Sequence, residues 1–336
     1  MQLLRAFAAL AIVASHASTP EHDLSLGAIR VDVFFILSGF VMIMANRRIY
    51  ENTIPVYTFL RRRFIRIVPL YWLFLTVLVI AYRHKHIPAG YILSSYFFIP
   101  YRGDGPTAIH YLPLLIVGWT LSFEVFFYLG LALCIWLRKS PLWLAIPFCL
   151  LALYGLHNPE PTHAILSLFN YHLVEFLAGI VFAYLYRRGI LFPQSVAAFT
   201  LIGTLVLLYS KRYRHEFTNS PDLMPLAALL VLSVLSFEPQ IRKYTPRVIE
   251  QLADISYPLY LIHQQFVIFP LQGFLKRLHR TPTTLAGFLF ELFIIYAISI
   301  TAAILIHRWI EIPILARFGV RIGGHKPSPV PVAATA

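Results

Sequence analysis

The sequence predicts an all-α integral membrane protein, a polytopic helical bundle of about ten transmembrane helices. Of its 336 residues, 58% are hydrophobic, and the mean hydropathy is +0.70. Charged residues make up only 13%, about half the share of an ordinary soluble domain. The apolar residues are gathered into runs closed by charges, prolines or turn residues, the pattern of successive membrane spans.

The first run covers residues 3–17 and is interrupted only by Arg5 and His16. The second follows Asp32 and ends at Ala45. A long basic loop, 46–66, carries Arg47, Arg48, Arg61, Arg62, Arg63 and Arg66, and leads into a third run at 67–82. The polar stretch 83–111 holds an apolar piece, 91–99, that is too short to cross a bilayer. Further runs occupy 113–137, 141–156, 171–186, 191–210, 222–237, 254–271 and 283–306. One transmembrane domain is therefore expected over 1–322, followed by a short disordered cytoplasmic tail, 323–336, rich in Gly, Pro and Ala. Cys134 and Cys149 lie in apolar runs without CxxC spacing, which reads as two buried small residues; no metal site is expected.

Ten spans put both termini on one side. On that side lie 18 of the 28 Lys and Arg, with ten on the other, so the termini are expected in the cytoplasm of a cell inner (plasma) membrane protein. The net charge of +13 sits at the ends of the runs, which suits membrane lipid and phosphate groups and argues against nucleic acid.

Polar residues inside the runs point to a site. Arg5 and His16 are eleven positions apart, three helical turns plus about 20°, and so share one face of the first helix. A charged or ionisable group at that depth costs on the order of 2.5 kcal/mol or more unless it is paired or faces a cavity. Asp32 falls at the mouth of the second span, and Glu124 near the middle of the fourth. Glu175, His263 and Glu291 fall within later spans, and these groups are expected to converge on a buried polar cavity. Arg61, Arg62, Arg63 and Arg66 are placed at the N-terminus of the third helix, where guanidinium forks and the helix dipole favour phosphate. The same cluster also serves as a topology anchor, and a lone intramembrane His also serves as an interhelix contact. The Ser38-Gly39 pair reads as a close helix contact.

These segments resemble the membrane acyltransferase 3 family, which includes bacterial exopolysaccharide and lipopolysaccharide O-acetylation proteins. The resemblance runs through LLRAFAALAIVASH (3–16), VDVFFILSGFVM (31–42), FLRRRFIRIVPLYW (59–72), GWTLSFEVFFYL (118–129), LVEFLAGI (173–180), ISYPLYLIH (255–263) and IEIP (310–313). It implies that Arg5 and His16 are the key functional pair, and that Arg63, Arg66 and Glu124 stand at the family's other functional positions. The expected activity is transfer of an acyl group, most simply acetyl, from cytoplasmic acyl-CoA to a hydroxyl of a glycan or lipid-linked saccharide. His16 would be the general base, with Glu124 or Asp32 orienting its imidazole. Arg5, Arg63, Arg66 and His263 would bind substrate. Acyl-CoA would be a co-substrate, with no bound cofactor. Transfer through a covalent acyl-His16 is the alternative chemistry. The competing class is a proton-coupled transporter or flippase.

The charge count makes a topological prediction. With Cys134 and Cys149 replaced, a single Thr53→Cys should resist an externally added impermeant thiol reagent, and a single Asp104→Cys or Pro161→Cys should react. Labelling at position 53 from outside would invert the orientation.

Overall fold

The computed structural model describes residues 2–19, 22, 29–44, 49, 51, 53–102, 111–159, 161–213, 221–279, 282 and 284–320. Arg47, Arg48 and the tail expected at 323–336 lie outside the described residues. Those described are helical, with no strand among them. In chain order the helices are α1 Gln2–Ala17, α2 Ile29–Met44, α3 Val56–Ala81, α4 Ala89–Tyr96, α5 Trp119–Trp136, α6 Ala145–His157, α7 His172–Arg187 and α8 Gln194–Tyr213. They continue with α9 Met224–Ser236, α10 Glu238–Tyr244, α11 Arg247–Asp254, α12 Ser256–Ile262 and α13 Phe269–Arg277. The last two are α14 Leu285–Ile306 and α15 Ile312–Arg317. A π-helical segment, His263–Ile268, joins α12 to α13, and a second, His307–Glu311, joins α14 to α15.

Each hydrophobic run corresponds to a helix, but the expected count of about ten spans is not matched by length. Among the described residues, five helical stretches are long and apolar enough to cross a membrane: Val56–Ala81, Ile116–Trp136, Ala164–Arg187, Gln194–Lys211 and Leu285–Arg317. The 16 residues of α1 and of α2 extend only about 24 Å, short of a hydrocarbon core of roughly 30 Å. The apolar surface faces outward where lipid would lie: Phe199, Ile202 and Val206 on α8, and Phe290 and Phe293 on α14, are exposed. Cys134 is buried as expected, whereas Cys149 is exposed, because α6 keeps only Phe148 and Ala152 buried.

The third helix departs from the sequence reading. It starts at Val56, after an extended Pro55, eleven residues before the expected start. Arg61, Arg62, Arg63 and Arg66 are therefore inside the helix, beyond its first turn, and the dipole at its N-terminus does not act on them. Their guanidinium groups alone must do any anion binding.

The site is positioned by one close helix contact. Gly39 of α2 lies on the Phe176 carbonyl of α7, and Gly179 of α7 lies on the Ile36 carbonyl and the Phe40 amide of α2. Glycine at both positions lets the two backbones touch, as the Ser38-Gly39 pair suggested. The helices run in the same sense, since Phe35 packs on His172 and Phe40 on Tyr186. A Cβ at either glycine would overlap backbone atoms. Gly179→Val should thus cost at least the ~1–3 kcal/mol of ordinary overpacking. A lowered melting temperature and a poor yield of monodisperse protein in detergent would report it, and wild-type behaviour would show that the contact can give way.

Candidate active site

The α1 face predicted to join Arg5 to His16 does line a path. Arg5, Ala8, Ala9 and Ile12 border one cavity, of about 120 Å³, and Ile12 and His16 border a second, of about 430 Å³. Ile12, Phe34 and Tyr260 border both, so the two cavities meet at an apolar waist. A third cavity, of about 390 Å³, shares Leu112, Trp119, Asn170, Tyr171 and His172 with the second and continues toward the 155–170 loop.

The first cavity is cationic. Arg5, Arg63 and Arg66 line it together with Glu124. Arg66 is exposed at its edge, Arg63 is half-buried, and the Arg5 Nη2 donates to Ser256 Oγ at 3.1 Å. The Glu124 carboxylate is buried and accepts from Ser38 Oγ at 3.0 Å. Arg63 lies about 6.0 Å from the ring centroids of both Phe59 and Tyr128. Three guanidinium groups against one carboxylate leave a net positive site, which favours a phosphate-bearing ligand.

The second cavity carries the imidazole. His16 Nδ1 is 2.9 Å from His263 Nε2, and the ring planes are 14° apart with centroids at 5.0 Å. This is the geometry of nearly coplanar rings joined edge to edge, since a face-to-face stack would bring the centroids closer. The proton positions follow from the backbone. His263 Nδ1 lies 2.7 Å from the Tyr260 carbonyl oxygen and 3.2 Å from that of Leu259. A carbonyl only accepts, so His263 Nδ1 carries the proton and Nε2 the lone pair. His16 Nδ1 must then donate to His263, which leaves the lone pair of His16 on Nε2. The fold thereby selects a tautomer of His16 whose unprotonated nitrogen is the one free to act as a base.

Tyr260 and Gln265 fix this chain of bonds to the wall opposite. The Tyr260 hydroxyl donates to the Val117 carbonyl at 2.6 Å and lies 2.7 Å from Thr120 Oγ1. Gln265, inside the π segment, accepts from the Ile116 amide at 2.6 Å and donates to the Leu114 carbonyl at 2.9 Å. A π turn re-aims the side chains that follow it, and such turns are frequent at functional sites.

The carboxylates are not where the sequence reading placed them. Neither Glu124 nor Asp32 is the hydrogen-bond partner of His16; His263 holds that position. Glu124 belongs to the cationic cavity instead. Asp32 sits at the α2–α7 contact beside Glu175 and His172, with His172 Nδ1 at 2.9 Å from Glu175 Oε2 and 3.9 Å from Asp32 Oδ1. Glu291 is buried on α14 and borders none of these three cavities. The single converging cavity expected from depth is thus a row of separate stations.

The acyltransferase domain family matches residues 1–308. This chain belongs to the acyltransferase 3 family. The acyltransferase is 32% identical to the exopolysaccharide production protein ExoZ of Rhizobium meliloti (strain 1021), covering 74% of this chain and 78% of that one. It is 27% identical to the acyltransferase MdmB of Streptomyces mycarofaciens, covering 95% and 92% of the two chains. A third relative, protein 2 in the picA locus of Rhizobium radiobacter, is 37% identical over 36% of this chain and 57% of its own length. No solved structure matches the acyltransferase. Membership decides between the enzyme and transporter readings in favour of the enzyme.

Three contributors to the acyltransferase cavities went unseen in the sequence. Trp119 borders the cavity of His16. Tyr260 supplies both the waist and the carbonyl under His263. His172 precedes Glu175 by three residues, a same-face helical spacing that was available to find it.

The hydrogen-bond chain predicts graded losses. His16→Gln should lower the transfer rate by about 10²–10⁴-fold without loss of insertion. His263→Ala should lower kcat by roughly 10-fold or more and leave the acyl-donor KM unchanged, because it removes the acceptor that fixes the His16 tautomer. Steady-state rates on purified protein check both. An unaltered rate for His16→Gln excludes it as the base.

Proposed function

We propose that this acyltransferase moves an acyl group, acetyl foremost, from cytoplasmic acyl-CoA to a hydroxyl of an exported or cell-surface polysaccharide or glycolipid. The reading is carried by one observation: a cationic cavity and a base-bearing cavity meet at Ile12, Phe34 and Tyr260. Such a pair suits a polyanionic donor on one side and a neutral hydroxyl on the other. The name of the relative from Rhizobium meliloti supports a glycan acceptor, and that of the relative from Streptomyces mycarofaciens supports acyl transfer.

In this mechanism Arg5, Arg63 and Arg66 hold the phosphates of the donor, and Glu124 limits their mutual repulsion. The thioester reaches past the waist toward His16. His16 Nε2 takes the proton of the acceptor hydroxyl as the hydroxyl oxygen attacks the thioester carbonyl. His263 steadies the imidazolium by accepting from its Nδ1–H. The tetrahedral intermediate collapses, the carbon–sulfur bond breaks, and the departing thiolate recovers the proton from His16. Acyl-CoA is consumed as a co-substrate, so no resident cofactor is needed for this step. The proposed setting is the inner membrane, with both termini in the cytoplasm.

Purified protein in nanodiscs, given radiolabelled acetyl-CoA and a saccharide acceptor, tests the reaction. Arg63→Ala and Arg66→Ala should each raise the KM for acetyl-CoA severalfold, with a smaller effect on kcat. Donor affinity unchanged in both variants, with insertion alone impaired, would reduce the cluster to a topology device.

A further inference from the structure

The Asp32, His172 and Glu175 cluster has no part in the transfer just described. All three side chains are buried, Asp32 and Glu175 at 0% exposure, and their donor atoms lie within 4.8 Å of one another. His172 Nδ1 is 2.9 Å from Glu175 Oε2 and 3.9 Å from Asp32 Oδ1. Among the described residues, both oxygens of Asp32 and the Oε1 of Glu175 are buried and accept no hydrogen bond. Two carboxylates enclosed in this way need positive charge between them, as a proton or as a cation.

We infer that Asp32, Glu175 and His172 form a binding site for one divalent transition-metal ion, Zn²⁺ foremost, that bridges α2 to α7. One imidazole and two carboxylates are a borderline-to-hard ligand set that suits zinc or manganese. Two carboxylates cancel a divalent charge, which makes the filled site neutral. The 2.9 and 3.9 Å separations bracket the roughly 3.3 Å between ligands that tetrahedral bonds of about 2.0 Å require. His172 would ligate through Nδ1, the nitrogen that faces the carboxylates, and keep its proton on Nε2. His172 also borders the second and third cavities, which gives the ion an entry path and water a route to the remaining coordination position. Sequence spacing pairs His172 with Glu175 but gives no sign of Asp32, which is 140 residues from His172.

The test is elemental analysis of the full chain, purified in detergent with a non-histidine tag and without chelator. The wild type should carry about one equivalent of zinc or manganese. Asp32→Asn, Glu175→Gln and His172→Ala should each reduce this at least severalfold, while His157→Ala, at an exposed histidine on α6, should not. Because a core variant can fail to fold, the wild type supplies a second readout. Its melting temperature should fall on treatment with chelator and recover with Zn²⁺ or Mn²⁺ but not Mg²⁺. A wild type that carries under a tenth of an equivalent and is unmoved by chelator and Zn²⁺ overturns the inference, and leaves the carboxylates neutralised by protons. Stoichiometric metal that survives all three substitutions overturns it too, by placing the ion elsewhere.

Discussion

The backbone contact between Gly39 and Gly179 is the constraint on which the arrangement depends. Without side chains at these positions, α2 and α7 approach until carbonyl and amide groups touch. From there α2 distributes its polar residues by register. Asp32, two turns earlier, meets Glu175 and His172 on α7. Ser38, adjacent to the contact, turns to α5 and donates to Glu124. Phe34 stands at the waist against Tyr260, with ring centroids 6.0 Å apart and planes 9° apart. One helix thus touches the buried acidic cluster, the carboxylate of the cationic cavity and the waist, and a shift of α2 would disturb every one.

The second organising element is the fixed backbone under His263. In many acid–base sites a carboxylate orients the imidazole. Here the orienting group is a second imidazole, itself fixed by the carbonyls of Tyr260 and Leu259 at the entrance to a π turn. The arrangement needs no carboxylate beside the base. In an apolar bundle that avoids the desolvation cost of a carboxylate, which several kcal/mol per ion makes substantial.

Much of this was legible in the sequence because helix geometry converts spacing into placement. Eleven residues put Arg5 and His16 on one face of α1, and that face lines the two joined cavities. Ser38-Gly39 signalled a tight crossing, and Gly39 makes one. What stayed hidden depended on pairing between distant segments. His16 and His263 are 247 residues apart, and no periodicity joins them. Depth alone pointed Glu124, Asp32 and His263 toward one cavity, but depth does not state azimuth, so their assignment to separate stations required the packed helices. The boundary of α3 was misjudged for a related reason. Arginines favour a helix as readily as a loop, so the charged stretch before Pro69 continues the helix back to Pro55.

The waist at Ile12, Phe34 and Tyr260 has a consequence for the membrane itself. A polar passage that widened continuously through the bundle would conduct ions and dissipate the gradients across the bilayer. The Tyr260 hydroxyl is committed to Val117 and Thr120, so the collar gains nothing polar from it. An aliphatic chain and two aromatic rings meet there, the kind of hydrophobic constriction that interrupts a water column in closed channels. The collar thus sets an apolar barrier between the two cavities.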